Sequence, residues 1–399
     1  MSDLDLKLNI KRLKLFNIVF YLIFFGPVLI IYLKDKFSLS EAIILQMAYV
    51  VASVIFEVPT GIFADKFGKK ISIIVGATLM SIVIFLFGVV ENFWLFALLE
   101  ALGGVATSFI SGSDSALLYE TLKLLGKESE YKKLNGQMHQ YALISVAIGS
   151  IIGGFIAKIG IEYTFQATAI TAFLAILVAL QLKEPIVKKE KTNSFFKMAF
   201  YELLLKSKEL RFVLILSLII YLFNQVLFNL YQPYFELIGI DIVYFGVIFA
   251  SFQIVAAVSS KYAYLFEQKI GFIKGLWLLL TIVIVSIFLL GNVVAVYSFV
   301  FIYLQQIVRG IRPILVSDFI NKNVSSEYRT TILSLESLIA SIAYVPLMLM
   351  LSFLSGRFEI TQTINIIGLV ATLLTIIAIF GSLVSNRRKK MYSLRVDEK

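Results

Sequence analysis

Residues 61–70 read GIFADKFGKK, a short polar stretch between two long apolar runs. The run leading into it covers residues 40–63, and the run after it covers residues 71–90. Each is long enough to cross a bilayer as a helix, which takes about 20 apolar residues. Gly61 and Gly68 suit a close helix contact and a tight turn. The stretch is therefore predicted to be a short loop that joins two membrane-spanning helices.

The composition of the whole chain agrees with a membrane protein. Hydrophobic residues make up 59% of the 399 residues and charged residues 16%, against about 45–50% and about 25% in a soluble domain. The chain has no Cys and a single His, so no thiolate or multi-histidine metal site is expected. We see no nucleotide-binding P-loop and no paired Asp cluster or Ser/His pair of a membrane enzyme. Neither a cofactor nor an enzymatic activity is expected.

Apolar runs of spanning length recur along the chain and predict twelve transmembrane helices. The stretch 275–308 is too long for one helix, and Gly291-Asn292 is a turn signal near its middle. The predicted spans are 15–33, 40–63, 71–90, 93–118, 137–160, 163–182, 212–235, 242–260, two helices within 275–308, 337–356 and 360–386.

Basic side chains recur in every second predicted loop and at both termini. These positions include Lys66, Lys69, Lys70, Lys123, Lys127, Lys132, Lys133, Lys269, Lys274, Lys322, Arg329 and the tail residues Arg387, Arg388, Lys389 and Lys390. Cytoplasmic loops carry an excess of Lys and Arg, so both termini are predicted to be cytoplasmic in a multi-pass protein of the cell membrane. The net charge of +10 then follows from topology and from contact with anionic membrane lipid. Nucleic acid is not an expected partner.

One long polar segment, residues 183–211, divides the chain. We predict an N-terminal six-helix bundle in residues 1–182, a cytoplasmic linker in 183–211, and a C-terminal six-helix bundle with a basic tail in 212–399. Within the linker, the amphipathic stretch 195–205 is expected to lie on the membrane surface.

A short repeat relates the two predicted bundles. Residues 129–132 read SEYK before the fifth span, and residues 326–329 read SEYR before the eleventh. Parallel repeats related by an axis along the membrane normal are a known transporter architecture. The repeat supports two pseudo-symmetric halves.

The loop at residues 61–70 resembles the signature loop of the major facilitator superfamily, G-x-L-A-D-R-x-G-R-K. Gly61, Ala64, Asp65, Gly68 and Lys70 match, with Lys in place of Arg at two positions and Phe in place of Leu. The resemblance implies an all-α fold of twelve helices in two bundles, transport by alternating access, and a cytoplasmic gate at this loop. The residues expected to form that gate are Gly61, Asp65, Gly68, Lys69, Lys70, Asp114 and Glu120.

Two further stretches are similar to drug-exporting members of that family. Glu57-Val58-Pro59 precedes the loop in a spacing seen in some exporters. Span five follows the antiporter pattern G-x8-G-x3-G-P-x2-G-G, with Ser in place of one Gly and of the Pro. The corresponding residues are Gly136, Ser145, Gly149, Ser150, Gly153 and Gly154. Small residues also serve ordinary membrane-helix packing, and the sequence leaves both interpretations open.

Span four departs from the drug:proton antiporters, which carry an Arg about four residues before a Gly. Glu100 stands at that place here, and Arg309 is a candidate for the equivalent position of the second half. Ionisable residues inside a membrane are usually functional, so we predict that Glu100 is a proton or cation-substrate site. The alternative is a structural ion pair with Arg309 or Arg312.

The remaining candidates are polar residues in predicted spans. Proton-coupling candidates are Glu100, Glu57, Glu336 and His139. Substrate-cavity candidates are Asn17, Tyr21, Glu100, Asn224, Gln225, Asn229, Gln305, Gln306 and Arg309.

These features favour a monomeric secondary transporter of a small organic solute, amphipathic or cationic, exported in exchange for protons. The nearest alternative is a proton symporter or facilitator that imports a nutrient. A receptor without transport and a polytopic membrane enzyme are weaker alternatives.

Overall fold

The computed structural model describes residues 3–185, 208–324 and 329–396, which form α-helices and connecting turns without a β-strand. The helices are α1 Asp3–Phe20, α2 Leu29–Lys36, α3 Leu39–Phe67, α4 Lys69–Phe87, α5 Phe93–Ile110, α6 Ser113–Leu124, α7 Tyr131–Ile159, α8 Ile161–Leu180, α9 Lys208–Phe228, α10 Tyr231–Leu237, α11 Ile242–Lys261, α12 Ala263–Ile270, α13 Phe272–Asn292, α14 Ile302–Asn323, α15 Arg329–Ser355 and α16 Ile360–Val396.

Within the described residues, eleven helical stretches are long and apolar enough to cross a membrane. The predicted first span, residues 15–33, is divided between α1 and α2 and is therefore not one of the eleven. The predicted division of residues 275–308 is present, since α13 ends at Asn292 and α14 begins at Ile302. The all-α membrane fold predicted from the sequence is confirmed.

The first span is interrupted between Phe20 and Leu29. Pro27 lies in this gap beside Gly26. A proline lacks the amide hydrogen of a helical residue, and its ring clashes with the carbonyl four residues earlier, here that of Ile23. A continuous helix through Ile23 and Pro27 is therefore disfavoured, and a separate short helix, α2, begins at Leu29 after the proline.

The seventh span is interrupted in the same way. Helix α9 ends at Phe228 and α10 begins at Tyr231. Pro233 stands four residues after Asn229 and would clash with its carbonyl in a continuous helix. Spans one and seven, which are equivalent in the predicted repeat, therefore share a break close to a proline.

Contacts between residues divide the chain into two units. The first comprises Met1–Lys191, Gln232–Gln253 and Met348–Gly356, and the second comprises Thr192–Tyr231, Ile254–Leu347 and Arg357–Lys399. The first unit thus contains the first six predicted spans together with most of α10, part of α11 and the end of α15. The predicted bundle boundaries at residues 182 and 211 stay a prediction.

Glycine-mediated helix crossings repeat between the two halves of the sequence. A Cβ atom on Gly104 of α5 would lie within 3.0 Å of Tyr49 O and Ser53 N of α3. A Cβ atom on Gly310 of α14 would lie within 3.0 Å of the corresponding backbone atoms of α11, Ala256 O and Ser260 N. In both crossings the glycine lies against a carbonyl oxygen and against the amide nitrogen four residues later in the neighbouring helix. This recurrence supports the internal repeat proposed from residues 129–132.

Several sequence predictions fall outside the described residues. They are the amphipathic stretch 195–205, most of the linker 183–211, the repeat residues Ser326, Glu327 and Tyr328, and the side chains of the basic tail.

Candidate functional site

The first unit contains a cavity of about 570 Å³. Its walls come from all six N-terminal spans, and they join the buried apolar cluster around Phe20 and Ile110 to the cluster around Phe87 and Phe165. The polar and aromatic lining residues are Phe20, Tyr21, Phe25, Gln46, Tyr49, Phe87, Glu100, Thr107, Ser111, Asp114, Ser150 and Phe165. A volume of this size accommodates a small organic molecule.

Glu100 of α5 is a carboxyl group buried in the wall of this cavity, with 5% of its surface exposed. Gln46 of α3 donates a hydrogen bond from Nε2 to Glu100 Oε1 at 2.5 Å. Helices α3 and α5 can approach this closely because Gly104, one turn after Glu100, has no side chain. On the same wall, Tyr49 and Thr107 share a hydrogen bond between their hydroxyl groups at 2.7 Å. The crossing of α3 and α5 thus places one acidic group among neutral hydrogen-bonding groups.

Aromatic rings cover much of the remaining wall. Phe25, from the interrupted part of span one, stacks on Phe165 of α8 with ring centroids 4.9 Å apart. Phe87 of α4 stacks on the same Phe165 ring at 5.7 Å. These rings stack on one another, and Phe165 is 1% exposed. They give the cavity a rigid apolar wall beside the acidic group of Glu100.

A smaller cavity of about 310 Å³ adjoins the first. Asn17, Tyr21, Asp114 and His139 line it, so it brings together four residues that the sequence singled out. Tyr21 and Asp114 also line the larger cavity. The two cavities therefore share a wall that carries one hydroxyl and one carboxyl group.

The backbone of the interrupted first span is held by neighbouring helices. Thr168 of α8 accepts a hydrogen bond from Phe24 N at 3.0 Å, and Thr171 donates to Leu22 O at 3.0 Å. Backbone groups inside a membrane need such partners because water is absent. The interruption is thus compatible with a membrane-spanning position.

The small residues of span five explain how this backbone fits. A Cβ atom on Gly149 or Gly153 of α7 would collide with backbone atoms of Ile23 or Phe24. Gly154 lies one residue further round the helix, and a Cβ there would collide with Val243 O of α11. The span-five motif therefore serves two close backbone contacts in the first unit.

The loop at residues 61–70 is held by a residue that the sequence did not single out. Glu184, just after α8, accepts hydrogen bonds from Lys69 N and Lys70 N, both at 2.7 Å. It lies against Gly68, whose φ of +105° favours glycine. A carboxylate at the first turn of α4 satisfies free amide groups and complements the helix dipole. A helix cap can be recognised in a sequence when the capping residue lies next to the helix. Glu184 lies more than a hundred residues from Lys69, so the sequence carries no signal for this contact.

The predicted gate residues partly come together at this loop. Lys69 Nζ forms an ion pair with Asp65 and lies 3.9 Å from Glu120 Oε1. Gly61 is exposed on α3, and Asp114 lies in the cavity wall described above. The structure thus groups Asp65, Gly68, Lys69 and Glu120, while a gating role stays a prediction.

The predicted cavity residues of the C-terminal half form a buried polar network in the second unit. Tyr231 donates to Gln305 Oε1 at 2.5 Å, Asn224 donates to Gln305 O at 2.8 Å, and Asn229 donates to the Tyr344 hydroxyl at 2.7 Å. Other members of this network are Gln225, whose carbonyl accepts from Tyr344, and Gln306, whose Nε2 lies 3.4 Å from the Tyr231 hydroxyl. These residues do not line the two cavities of the first unit.

The remaining charged candidates lie in different surroundings. Arg312 pairs with Glu336, and its Nε donates to the carbonyl and hydroxyl oxygens of Ser217. Arg309 is partly buried on α14, one residue before Gly310. In the first unit, Glu57 is exposed on α3 and does not line the larger cavity. Of the four proton-coupling candidates, Glu100 is the one in the larger cavity.

We call the end of the first unit that carries residues 61–70 the loop end, and the opposite end, with residues 34–39, the far end. At the far end, Lys34 forms an ion pair with Glu236 of α10. Burial, with a smaller effect of the Glu236 carboxylate, raises the pKa of the neighbouring Asp35 above its usual value. The far end thus contains one carboxyl group, that of Asp35, with a raised pKa.

Interrupted spans, glycine crossings repeated in two halves and a cavity inside a helical bundle are typical of multi-pass membrane transporters. The family model of the Major Facilitator Superfamily matches residues 15–343, and the chain belongs to this family of transporters.

Relatives with curated descriptions and solved structures agree with this assignment. The chain is 30% identical to the quinolone resistance protein NorA of Staphylococcus aureus over 190 residues, which is 46% of this chain and 47% of NorA. The matched part is thus about half of NorA. It is 23% identical to the uncharacterized MFS-type transporter YxaM of Bacillus subtilis, covering 86% of this chain and 88% of YxaM.

Two solved transporters share the fold. The nucleoside transporter NupG has a TM-score of 0.75 at 15% identity, covering 93% of this chain and 98% of NupG. A D-xylose-proton symporter has a TM-score of 0.66 at 14% identity, covering 92% and 97% of the two chains.

Proposed function

We propose that this protein exports a small amphipathic or cationic organic solute across the cell membrane in exchange for protons. The observation that carries the proposal is the buried Glu100 carboxyl group in an aromatic-lined cavity of about 570 Å³. A buried carboxylate is costly unless a proton or another cation compensates its charge. Competition between a proton and a cationic solute for one carboxyl group would couple their movements.

Three further observations support this proposal. The stacked rings of Phe25, Phe87 and Phe165 form an apolar wall that suits the apolar part of an amphipathic solute. Gln46 holds the Glu100 carboxyl group in a defined position. The similarity to NorA, whose name refers to quinolone resistance, covers about half of each chain and favours drug export.

Import by proton symport or facilitated diffusion is the second candidate. The shared fold with NupG and with a D-xylose-proton symporter is compatible with it. Those structural similarities concern the fold alone.

Everted membrane vesicles with an acidic interior distinguish the two directions. We expect the vesicles to load a fluorescent organic cation, ethidium, or a fluoroquinolone while protons leave, and to lose the probe when the pH gradient is collapsed. Vesicles that hold the protein but load neither probe, and that instead release a nutrient with protons, would contradict export.

We also propose that the protein acts as a monomer with both termini in the cytoplasm. The basic loops, including the loop at residues 61–70, would then lie on the cytoplasmic side. Reporter fusions to the two termini test this orientation.

A further inference from the structure

The far end of the first unit is closed by side chains from helices that are distant in the sequence. Gln232 of α10, with 1% of its surface exposed, lies against the interrupted first span. Its Oε1 accepts hydrogen bonds from Ile30 N at 2.8 Å and Ile31 N at 3.3 Å, and its Nε2 donates to Gly26 O at 3.0 Å. One side chain thus satisfies three backbone groups of span one.

These three groups need a partner because of the break in the span. Ile30 N and Ile31 N belong to the first turn of α2, where a helix has no internal acceptor for its amide groups. Gly26 O belongs to the segment that Pro27 keeps out of a helix. Inside a membrane, unsatisfied backbone groups of this kind are strongly disfavoured.

Other contacts of the far end lie in the same unit. Glu236, one turn after Gln232 on α10, pairs with Lys34 at the end of α2. The hydroxyl of Ser352 in α15 donates to Ser40 O at 3.0 Å. Helices α10 and α15 therefore cover the far end at two separate places.

We propose that Gln232 is a positioning residue for transport, which keeps the far end closed by capping the interrupted first span. When α10 moves away from α2, the three backbone groups lose their partner until water replaces it. The far end can therefore open only when water reaches these three backbone groups and replaces Gln232. In alternating access, one end of a transporter opens while the other is closed, so this contact would favour the state closed at the far end.

The position of α10 in the chain fits this role. The break between α9 and α10 coincides with the boundary between the two units, since Tyr231 belongs to the second and Gln232 to the first. A second boundary, between Leu347 and Met348, follows directly after Pro346 inside α15. The helix is interrupted before α10, and Pro346 removes one hydrogen bond inside the continuous α15. Bending at these two places therefore disrupts fewer helix hydrogen bonds than bending elsewhere.

The inference rests on membership of the family and not on the proposed solute or coupling ion. Its test therefore needs no transport substrate. The chain contains no Cys, so Ser352→Cys introduces a single buried thiol at the far end. The rate at which a water-soluble maleimide modifies this thiol reports how often the far end opens.

Three substitutions of Gln232 are compared in that background. Gln232→Met keeps the length of the side chain but removes the acceptor and donor, and we expect labelling about tenfold faster, equivalent to about 1.4 kcal/mol. Gln232→Glu keeps the acceptor for Ile30 N and Ile31 N but loses the donor to Gly26 O, and we expect a rate between those of the parent and of Gln232→Met. Gln166→Met on the exposed face of α8 is the matched control and should leave the rate unchanged.

A second reporter separates opening of the far end from general loosening. Ser72→Cys is buried in α4 near the loop end, and its labelling should not accelerate with Gln232→Met. Equal labelling of Ser352→Cys with and without Gln232→Met would overturn the proposal, as would Gln232→Glu behaving like Gln232→Met.

Hydrogen–deuterium exchange of the unaltered protein gives an answer even where a variant fails to fold. The amide groups of Ile30 and Ile31 should be protected like those inside α3. Exchange at the rate of unbonded amides would show that Gln232 does not cap them and would overturn the proposal.

Discussion

Glu100 and Gln306 occupy equivalent positions in the two halves of the chain. Each stands four residues before a glycine, Gly104 or Gly310, that allows its helix to contact the backbone of a neighbour. In this register Arg309 corresponds to Gly103, and not to Glu100 as the sequence suggested. The repeat thus places a carboxyl group at this position in the first half and a neutral amide at the equivalent position in the second half.

This asymmetry matters for the proposed coupling. Gln306 is 1% exposed and neutral, and it takes part in a polar network with Tyr231. Glu100 lies in an open cavity beside Gln46. A proton or a cation is therefore expected to bind in the N-terminal half.

The contact between span five and the interrupted span one is testable by adding a single methyl group. In Gly153→Ala the Cβ would lie within 3.0 Å of three backbone atoms of Phe24. Backbone atoms cannot move aside easily, so we expect a loss of about 1–3 kcal/mol in the free energy of unfolding. Thermal unfolding in detergent measures it.

Gly136→Ala is the matched control in the same helix, because no atom lies within 4 Å of its added Cβ. We expect it to be neutral or slightly stabilising, since alanine favours helices. Equal melting temperatures for the two variants would contradict the close contact.

Glu184→Ala tests the cap that holds the loop at residues 61–70. The substitution removes the acceptor for Lys69 N and Lys70 N. We expect a loss of about 1–3 kcal/mol, the usual cost of leaving a partly buried donor unsatisfied. Glu130→Ala, which breaks a surface pair with Lys127, should change the melting temperature far less. A similar effect of both variants would show that Glu184 contributes no more than a surface charge.

Glu336 is expected to serve as the structural partner of Arg312. Glu336→Gln leaves the arginine charge poorly compensated, and breaking a buried ion pair typically costs about 3–5 kcal/mol. The double variant Arg312→Met with Glu336→Met should regain part of that stability, because no uncompensated charge remains. A proton-coupling role would be indicated instead if Glu336→Gln melted normally and removed the pH dependence of transport.

Asp35 makes the stability of the far end depend on pH. Its pKa is raised in the folded protein, first by burial and then by the Glu236 carboxylate. The folded state therefore binds this proton more tightly than the unfolded state, and the contribution to stability is lost as the pH rises through the raised pKa. We expect Asp35→Asn to melt at a higher temperature at pH 7, with a difference that shrinks as the pH is lowered.

Glu91→Gln, an exposed carboxyl group before α5, is the control for general charge effects. A constant difference between Asp35→Asn and the parent protein at all pH values would contradict the assigned cause.

The sequence predicted the helical membrane fold and the division at Gly291-Asn292, because hydropathy and turn residues are local properties. A functional role of Glu100 stays a prediction. It did not predict the breaks in spans one and seven, although Pro27 and Pro233 were visible. Proline also lies inside continuous helices of this chain, at Pro59 and Pro346, so a proline alone does not predict where a helix is interrupted.

Contacts between residues that are distant in the chain could not be predicted from the sequence. Glu184 and Gln232 have ordinary surroundings in the chain, and their partners, the backbone groups of Lys69 and Ile30, carry no sequence signal. Side-chain contacts to backbone groups depend on how the helices pack. That packing involves residues more than a hundred positions apart.

The proposed coupling depends most on Glu100, and transport by purified protein in liposomes tests this role directly. With an imposed pH gradient, the parent protein and Glu57→Gln, which alters an exposed carboxyl group of α3, should both accumulate ethidium or a fluoroquinolone. Glu100→Gln should fold normally but fall to the level of empty liposomes. If Glu100→Gln kept both the flux and its pH dependence, Glu100 would not be the site that couples protons to transport.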